Sequence, residues 1–151
     1  MQTYPGKILQ NYGNEFKPVE EVAGAENRFF GISPIVSDFN SDGWPDLVWA
    51  NLDGKSLAYM NQGGHDNWIK VRLPNRASSI NARVIVTNDK GEQQVKQLIT
   101  SQGLGSDQGR DLIFGFGNNS SAASVKVEFQ DGSVKTIDTP KPESVIEIES
   151  P

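Results

Sequence analysis

The sequence predicts an all-β fold, and three observations carry that prediction. Short runs of alternating apolar and polar residues recur along the chain, turn dipeptides punctuate them, and 15 Gly with 8 Pro interrupt any long helical period. At 151 residues the chain suits one domain of ordinary size or one and a half small ones, long enough to bury a core without staples. Cysteine is absent, which excludes disulfide frameworks and thiolate metal sites. A formal net charge of −5, with Lys and Arg scattered singly, disfavours a nucleic-acid partner, whose phosphates need a basic stripe.

Lys7 to Gln10 and Phe16 to Glu21 read as short strands joined by the turn Asn11-Tyr12-Gly13-Asn14, and a loop follows from Gly24 to Gly31. Ile32 to Ser37 and Leu47 to Ala50 are the next two strands. The turn Asn51 to Lys55 leads into Ser56 to Met60, which completes an antiparallel meander. Asn61-Gln62-Gly63-Gly64-His65-Asp66 is polar and glycine-rich and marks the best boundary, dividing the chain into residues 1–65 and 66–151. Beyond it Trp68 to Leu73 alternates, with Ile69, Val71 and Leu73 on one face and Lys70 and Arg72 on the other. Ala82 to Thr87, Gln93 to Thr100, Leu112 to Phe116, Val125 to Phe129, Val134 to Ile137 and Val145 to Ile148 follow as strands. That many strands in so short a stretch imply a sandwich or a barrel. The expected architecture is an antiparallel meander packed on a C-terminal β-sandwich or barrel.

Chemistry concentrates in the loop between the third and fourth strands, Asp38-Phe39-Asn40-Ser41-Asp42-Gly43-Trp44-Pro45-Asp46. Asp38, Asn40 and Asp42 alternate, Trp44 offers a backbone carbonyl at the seventh position, and Asp46 closes the set. Oxygen donors at that spacing suit Ca2+, a hard cation that takes six to eight of them. Gly43 sits where the turn is sharpest, and a residue without a β-carbon takes positive φ there at no steric cost. An EF-hand does not fit: its twelfth position would be Trp49 rather than Glu, Pro45 has no N–H for pairing with a sister loop, and strands flank the loop. The alternative is a metal-free Asp/Asn/Gly turn, since those residues favour turns for local reasons.

The inventory argues against an enzyme. His65 in the linker is the only imidazole, so Ser-His-Asp or Cys-His catalysis has little to draw on. Asp38, Asp42 and Asp46 are packed too tightly to straddle a sugar ring as glycosidase carboxylates. Gly103-Leu104-Gly105-Ser106 with Gly109-Arg110 lacks the Lys-Ser/Thr of a phosphate loop. Trp44, Trp49 and Trp68 read as structural, with an aromatic platform for sugars or peptides as the alternative.

Asn67-Trp68-Ile69-Lys70-Val71-Arg72-Leu73 resembles the opening of the ASPIC/UnbV domain of cartilage acidic protein type. Asn81 to Val84, Gln93 to Thr100, Ser101 to Gln108, Leu112 to Gly117 and Val125 to Gly132 follow in that family's order, so the resemblance covers roughly Asp66 to Ile148. Upstream, Asp38 to Asp46 with its flanks resembles one FG-GAP/VCBS repeat, the calcium-loop blade of integrin-like propellers. Two departures stand out: Asn81 where the family usually has Gly, and Phe129-Gln130 where it usually has Trp-Pro. A lone blade must bury its faces elsewhere. It can pack on the following domain or on a second copy of the chain, or the chain can be the end of a longer propeller protein.

The resemblance implies a calcium-binding, non-catalytic module for adhesion or protein interaction, secreted or at the cell surface or periplasm. The metal would be held by Asp38, Asn40, Asp42, Trp44 and Asp46. A carbohydrate-binding module and an accessory domain of a bacterial biosynthetic or export pathway are the alternatives, and the partner, protein or glycan, is left open. Met1 to Lys7 has no apolar core of the signal-peptide kind, and no run approaches a membrane span.

Overall fold

In the computed structural model, residues 6–99, 101–103, 106–107 and 109–149 are described. Residues 1–5, the expected strand end at Thr100, and Leu104, Gly105 and Gln108 of the glycine-serine stretch lie outside the described residues. The fold is all-β. Its one helical element among those residues is a short 3₁₀ turn, Ala77–Ser79.

The N-terminal part begins with a hairpin of β1 (Leu9–Asn11) and β2 (Phe16–Pro18). The expected second strand is shorter than its sequence suggests, because the chain turns over Glu20 to Gly24, where Ala23 N–H reaches Val19 O and Ala25 N–H reaches Glu20 O. The meander is then formed by β3 (Gly31–Ser37), β4 (Asp46–Asn51) and β5 (Leu57–Tyr59), all antiparallel. Ser37 pairs with Asp46 at the end of the β3–β4 ladder, so residues 38–45 form the hairpin loop itself.

The C-terminal part is a sandwich of two sheets. One has the order β11 (Asp111–Gly117), β6 (Asn67–Arg72), β14 (Ser144–Glu147), with β14 parallel and β11 antiparallel to β6. The other runs β13 (Val134–Asp138), β12 (Ala122–Glu128), β7 (Arg83–Asn88), β8 (Gln93–Gln97), antiparallel throughout. Of the sandwich and the barrel left open by the sequence, the sandwich is the one formed: no sheet closes on itself among the described residues. A small ladder of β9 (Ser101–Gly103) and β10 (Ser106–Asp107) lies in the connection to β11 and touches β3 of the meander.

Apolar alternation builds the core. Val84 pairs with Val127 and Val86 with Val125 across β7 and β12, and all four are fully buried. They face Ile69, Val71, Phe114 and Ile146 of the other sheet. Each such side chain contributes about 1.5–3 kcal/mol on burial. The two family departures are accommodated locally. Asn81 has φ +63, the left-handed region that glycine enters freely and that Asn tolerates best among other residues. Phe129 is buried under the Arg76 guanidinium, 4.3 Å from the ring centroid. Gln130 donates its backbone N–H to Ser78 O at 3.1 Å, a bond that proline could not make.

One strand position departs from its pattern. Alternation places Lys70 on the outward polar face of β6, yet Lys70 is only 3% exposed, because the β3–β4 loop lies against that face. Trp68 packs on Gly43, and Ser37 lies against Gly109. The meander is thus seated on the sandwich.

Every member of the main core cluster comes from the stretch Ile69 to Ile148, whereas Ala25 and Trp49 are the buried apolar residues upstream of it. The division into residues 1–65 and 66–151 expected from the sequence calls for a direct test. A chain starting at Asp66 should keep a cooperative thermal transition, and limited proteolysis of the full chain should cut first between Asn61 and Asp66. Loss of all cooperativity in the shortened chain would make the molecule one indivisible unit.

Candidate metal centre

The loop is shaped by its own side chains. Asp38 Oδ1 accepts the Asp42 N–H at 3.0 Å, and Asn40 Oδ1 accepts the same N–H at 3.2 Å. Asp38 Oδ2 accepts the Gly43 N–H at 2.9 Å and takes a direct ion pair from the Lys70 ammonium. Asp42 turns outward: Oδ1 accepts the Trp44 N–H at 2.8 Å and Oδ2 the Asn40 amide at 2.7 Å. Asp46 is buried and holds the loop base, accepting the N–H groups of Phe39 and Asn61, each at 2.8 Å. Gly43, at φ +90, presses so closely on the Trp68 indole that a β-carbon there would lie 2.0 Å from the ring. No other residue fits.

Electrostatics converge on Asp38. Its side chain is 2% exposed and that of Lys70 is 3% exposed. Burial pushes the Asp38 carboxyl up, but the Lys70 hydrogen bond, the Gly43 and Asp42 N–H groups and the Lys70 charge outweigh it. The carboxyl therefore titrates below its ordinary value.

Of the five residues singled out from sequence, Asp38 and Asn40 share the Asp42 N–H, Asp42 accepts the Asn40 amide and the Trp44 N–H, and Asp46 turns instead to Phe39 and Asn61. Among the described residues, no three His, Cys, Asp or Glu side chains form a cage. The donors still suit a hard divalent cation. Each carboxylate oxygen that accepts one N–H retains a lone pair, so Asp38 Oδ1 and both Asp46 oxygens keep acceptor capacity. Lys70 was the residue that strand periodicity missed. The one sequence signal for it is the density of carboxylates in the loop, which calls for a nearby cation.

The loop also walls a cavity of about 820 Å³ whose lining includes Asp38, Trp44, Trp68, Lys96 and Ile113. Trp44 and Trp68 are half-buried there, whereas Trp49 is 5% exposed and packs over Gly6. His65 is exposed in the linker, and the Arg110 guanidinium bonds Asn75. No helix among the described residues is long and apolar enough to cross a membrane.

Fold and loop together define an all-β module in which an acidic hairpin loop lies against a two-sheet sandwich. Residues 73–151, just over half the chain, match the family described as ASPIC and UnbV. The chain belongs to that family. It is also similar to integrin alpha-7 of Homo sapiens, with 47% identity over 45 residues, a match that covers 24% of this chain and 4% of that protein.

Proposed function

We propose that the chain is a calcium-ordered interaction module that works outside the cytoplasm, with residues 1–65 as one FG-GAP/VCBS-like blade docked on the ASPIC/UnbV domain. The observation that supports this reading is one hairpin loop, closed by the Ser37–Asp46 pair, that carries Asp38, Asn40, Asp42 and Asp46 at the spacing of a calcium site. Asp38, Asn40, Asp42, the Trp44 carbonyl and Asp46 would hold the ion. Calcium, when bound, supplies the charge that lets three carboxylates share one tight hairpin. The chain's own part is to hold Asp38 and Asp46 in place through backbone N–H groups and to fix the loop against Trp68. Membership of the family and the likeness to integrin alpha-7 support a role in adhesion or protein binding.

With three carboxylates and no bidentate Glu, calcium should bind weakly, with Kd on the order of 10⁻⁴ to 10⁻³ M. Binding then stabilises the fold by about 1.4–2.7 kcal/mol at free calcium ten to a hundred times Kd. Asp42→Ala should abolish that gain. Equal melting temperatures in chelator and in excess calcium would overturn the reading, as would nanomolar affinity or a preference for zinc.

A carbohydrate-binding role is the second reading, favoured by Trp44 and Trp68 on the wall of one cavity. Glycan-array binding lost on Trp44→Ala would select it over protein contact.

A further inference from the structure

One sheet of the sandwich is a strand narrower than the other: β11-β6-β14 faces β13-β12-β7-β8. The edge strands β11 and β8 lie on the same side, since side chains of β8 reach β11. Gln94 and Lys96 stand directly opposite the buried Val86 and Val84, so they occupy the core-facing side of β8. On β6, Trp68 O and Arg72 O accept the Glu143 and Ile148 N–H groups, while Ile69 and Val71 pair with Phe114 and Leu112 of β11. Ile113 and Gly115, between those partners, therefore direct their N–H and C=O groups away from β6. Gln94 Nε2 donates to Gly115 O at 2.6 Å and the Lys96 ammonium to Ile113 O. Neither outward N–H has a partner among the described residues.

The lane beside these groups belongs to the cavity of about 820 Å³ that runs between β8 and the β3–β4 loop, with Trp44 and Trp68 on its wall. Its shape is that of a missing fourth strand. Free backbone donors at every second residue match the carbonyls of an extended segment, and the seven residues of β11 offer about 24 Å of edge. Alternate side chains of such a segment face the tryptophans, and those between face β8. Charge narrows the choice. Asp38 is paired with Lys70 and Asp111 with Arg72, whereas Lys96 has no carboxylate partner among the described residues. Desolvation holds its ammonium below the ordinary lysine pKa, and a carboxylate would offset that loss. Asp66 lies at the far end of the lane, where Gly117 pairs with Asn67.

We propose that the outer edge of β11 is a strand-addition site: it takes an extended segment of a partner protein, apolar at alternate positions and with an acidic residue opposite Lys96. Gln94 and Lys96 are the clasp that this segment displaces. Closed, the clasp occupies the edge carbonyls and guards the free chain against pairing through β11. The inference rests on the protein-interaction part of the reading above and is independent of calcium.

The test titrates the full chain, in calcium and in chelator, with blocked peptides of about seven residues, the length of β11. They alternate valine and threonine and carry aspartate, asparagine or lysine at the centre. Tryptophan fluorescence reads affinity, and amide hydrogen exchange reads Ile113 and Gly115. The aspartate peptide should slow exchange at both amides about tenfold when present at ten times its Kd. It should bind about fivefold more tightly than the lysine peptide, the worth of a partly solvated charge pair. Gln94→Ala frees Gly115 O and should tighten binding about threefold. Lys96→Met should erase the preference for aspartate. Gly115→Pro removes one outward donor, leaves the bonds to β6 in place, and should weaken binding about tenfold.

Exchange at Ile113 and Gly115 in the native chain does not depend on any variant folding. Binding that leaves both amides unprotected, or equal affinity for the aspartate and lysine peptides, overturns the proposal. Silence of all three peptides overturns it as well, and leaves the module reading standing if calcium still raises the melting temperature. Silence of the peptides together with glycan binding lost on Trp44→Ala overturns protein recognition and this site together. Protection of the same amides on raising chain concentration without peptide assigns the edge to a second copy of the chain and overturns the partner segment.

Discussion

Asp38→Ala should lower the stability of the metal-free chain by about 3 kcal/mol. The substitution leaves the Lys70 ammonium buried with no counter-charge, and breaking a buried pair on one side costs far more than the pair contributes net. Exposed Asn40 and Asp42 stand beside it, so water reaches the loop and keeps the cost at the lower end of the usual range. Asp38→Leu combined with Lys70→Met should recover most of the loss, because no charge is then left alone. Denaturant unfolding of the native chain, Asp38→Leu, Lys70→Met and their combination in chelator measures this as a double-mutant cycle, with Asp38→Ala alongside. A loss below about 0.5 kcal/mol for Asp38→Ala, within the usual range for an exposed surface change, would mean the pair is solvated.

The same pair sets a pH dependence. The folded Asp38 carboxyl titrates below its unfolded value of about 3.9, so its stabilising contribution is fully present above that value. The contribution disappears as pH falls through the folded pKa. The stability gap between native chain and Asp38→Ala should thus be constant from neutral pH down to about pH 5 and should narrow below pH 4. A gap that widens on acidification would contradict the assignment.

Phe114→Ala should cost about 3–5 kcal/mol, through lost burial and the cavity that remains. Phe114 is fully buried on β11, pairs with Ile69 of β6, and carries the Lys96 ammonium 5.4 Å from its ring centroid. The change strikes the sandwich and leaves the loop ligands untouched. Melting should fall by about 2–4 °C for each kcal/mol, while the increment from calcium persists. If the calcium increment vanishes with Phe114, the loop and the sandwich are one cooperative unit, and the proposed division at residue 65 fails.

Much of the fold was legible because its signals are local. Val84, Val86, Val125 and Val127 announce buried strand faces by alternation, and all four are buried in cross-strand pairs. Asp89 to Gly91 and Asp131-Gly132 announce turns, and they fall between β7 and β8 and between β12 and β13. The loop sequence from Asp38 to Asp46 is likewise self-explanatory: Gly43 takes the positive φ that its position demands, and the Asp and Asn side chains accept neighbouring N–H groups.

Tertiary structure decided what depends on residues far apart in sequence. Parallel pairing of β14 with β6, and the choice of two sheets over a barrel, rest on contacts between strands more than seventy residues apart, which no local pattern encodes. Lys70 is the clearest case. Its place on β6 reads as an outward polar position, and period-two alternation describes one sheet face against water. A second layer changes that: the meander lies on the outward face, Trp68 presses on Gly43, and the ammonium is buried against Asp38. The sequence alone thus determined that an acidic loop would form and which atoms it would present, because hydrogen bonds within eight residues shape it. Which cation stands beside those atoms was decided by the packing of two sheets, because only that packing removes Lys70 from water and leaves a carboxylate as its partner.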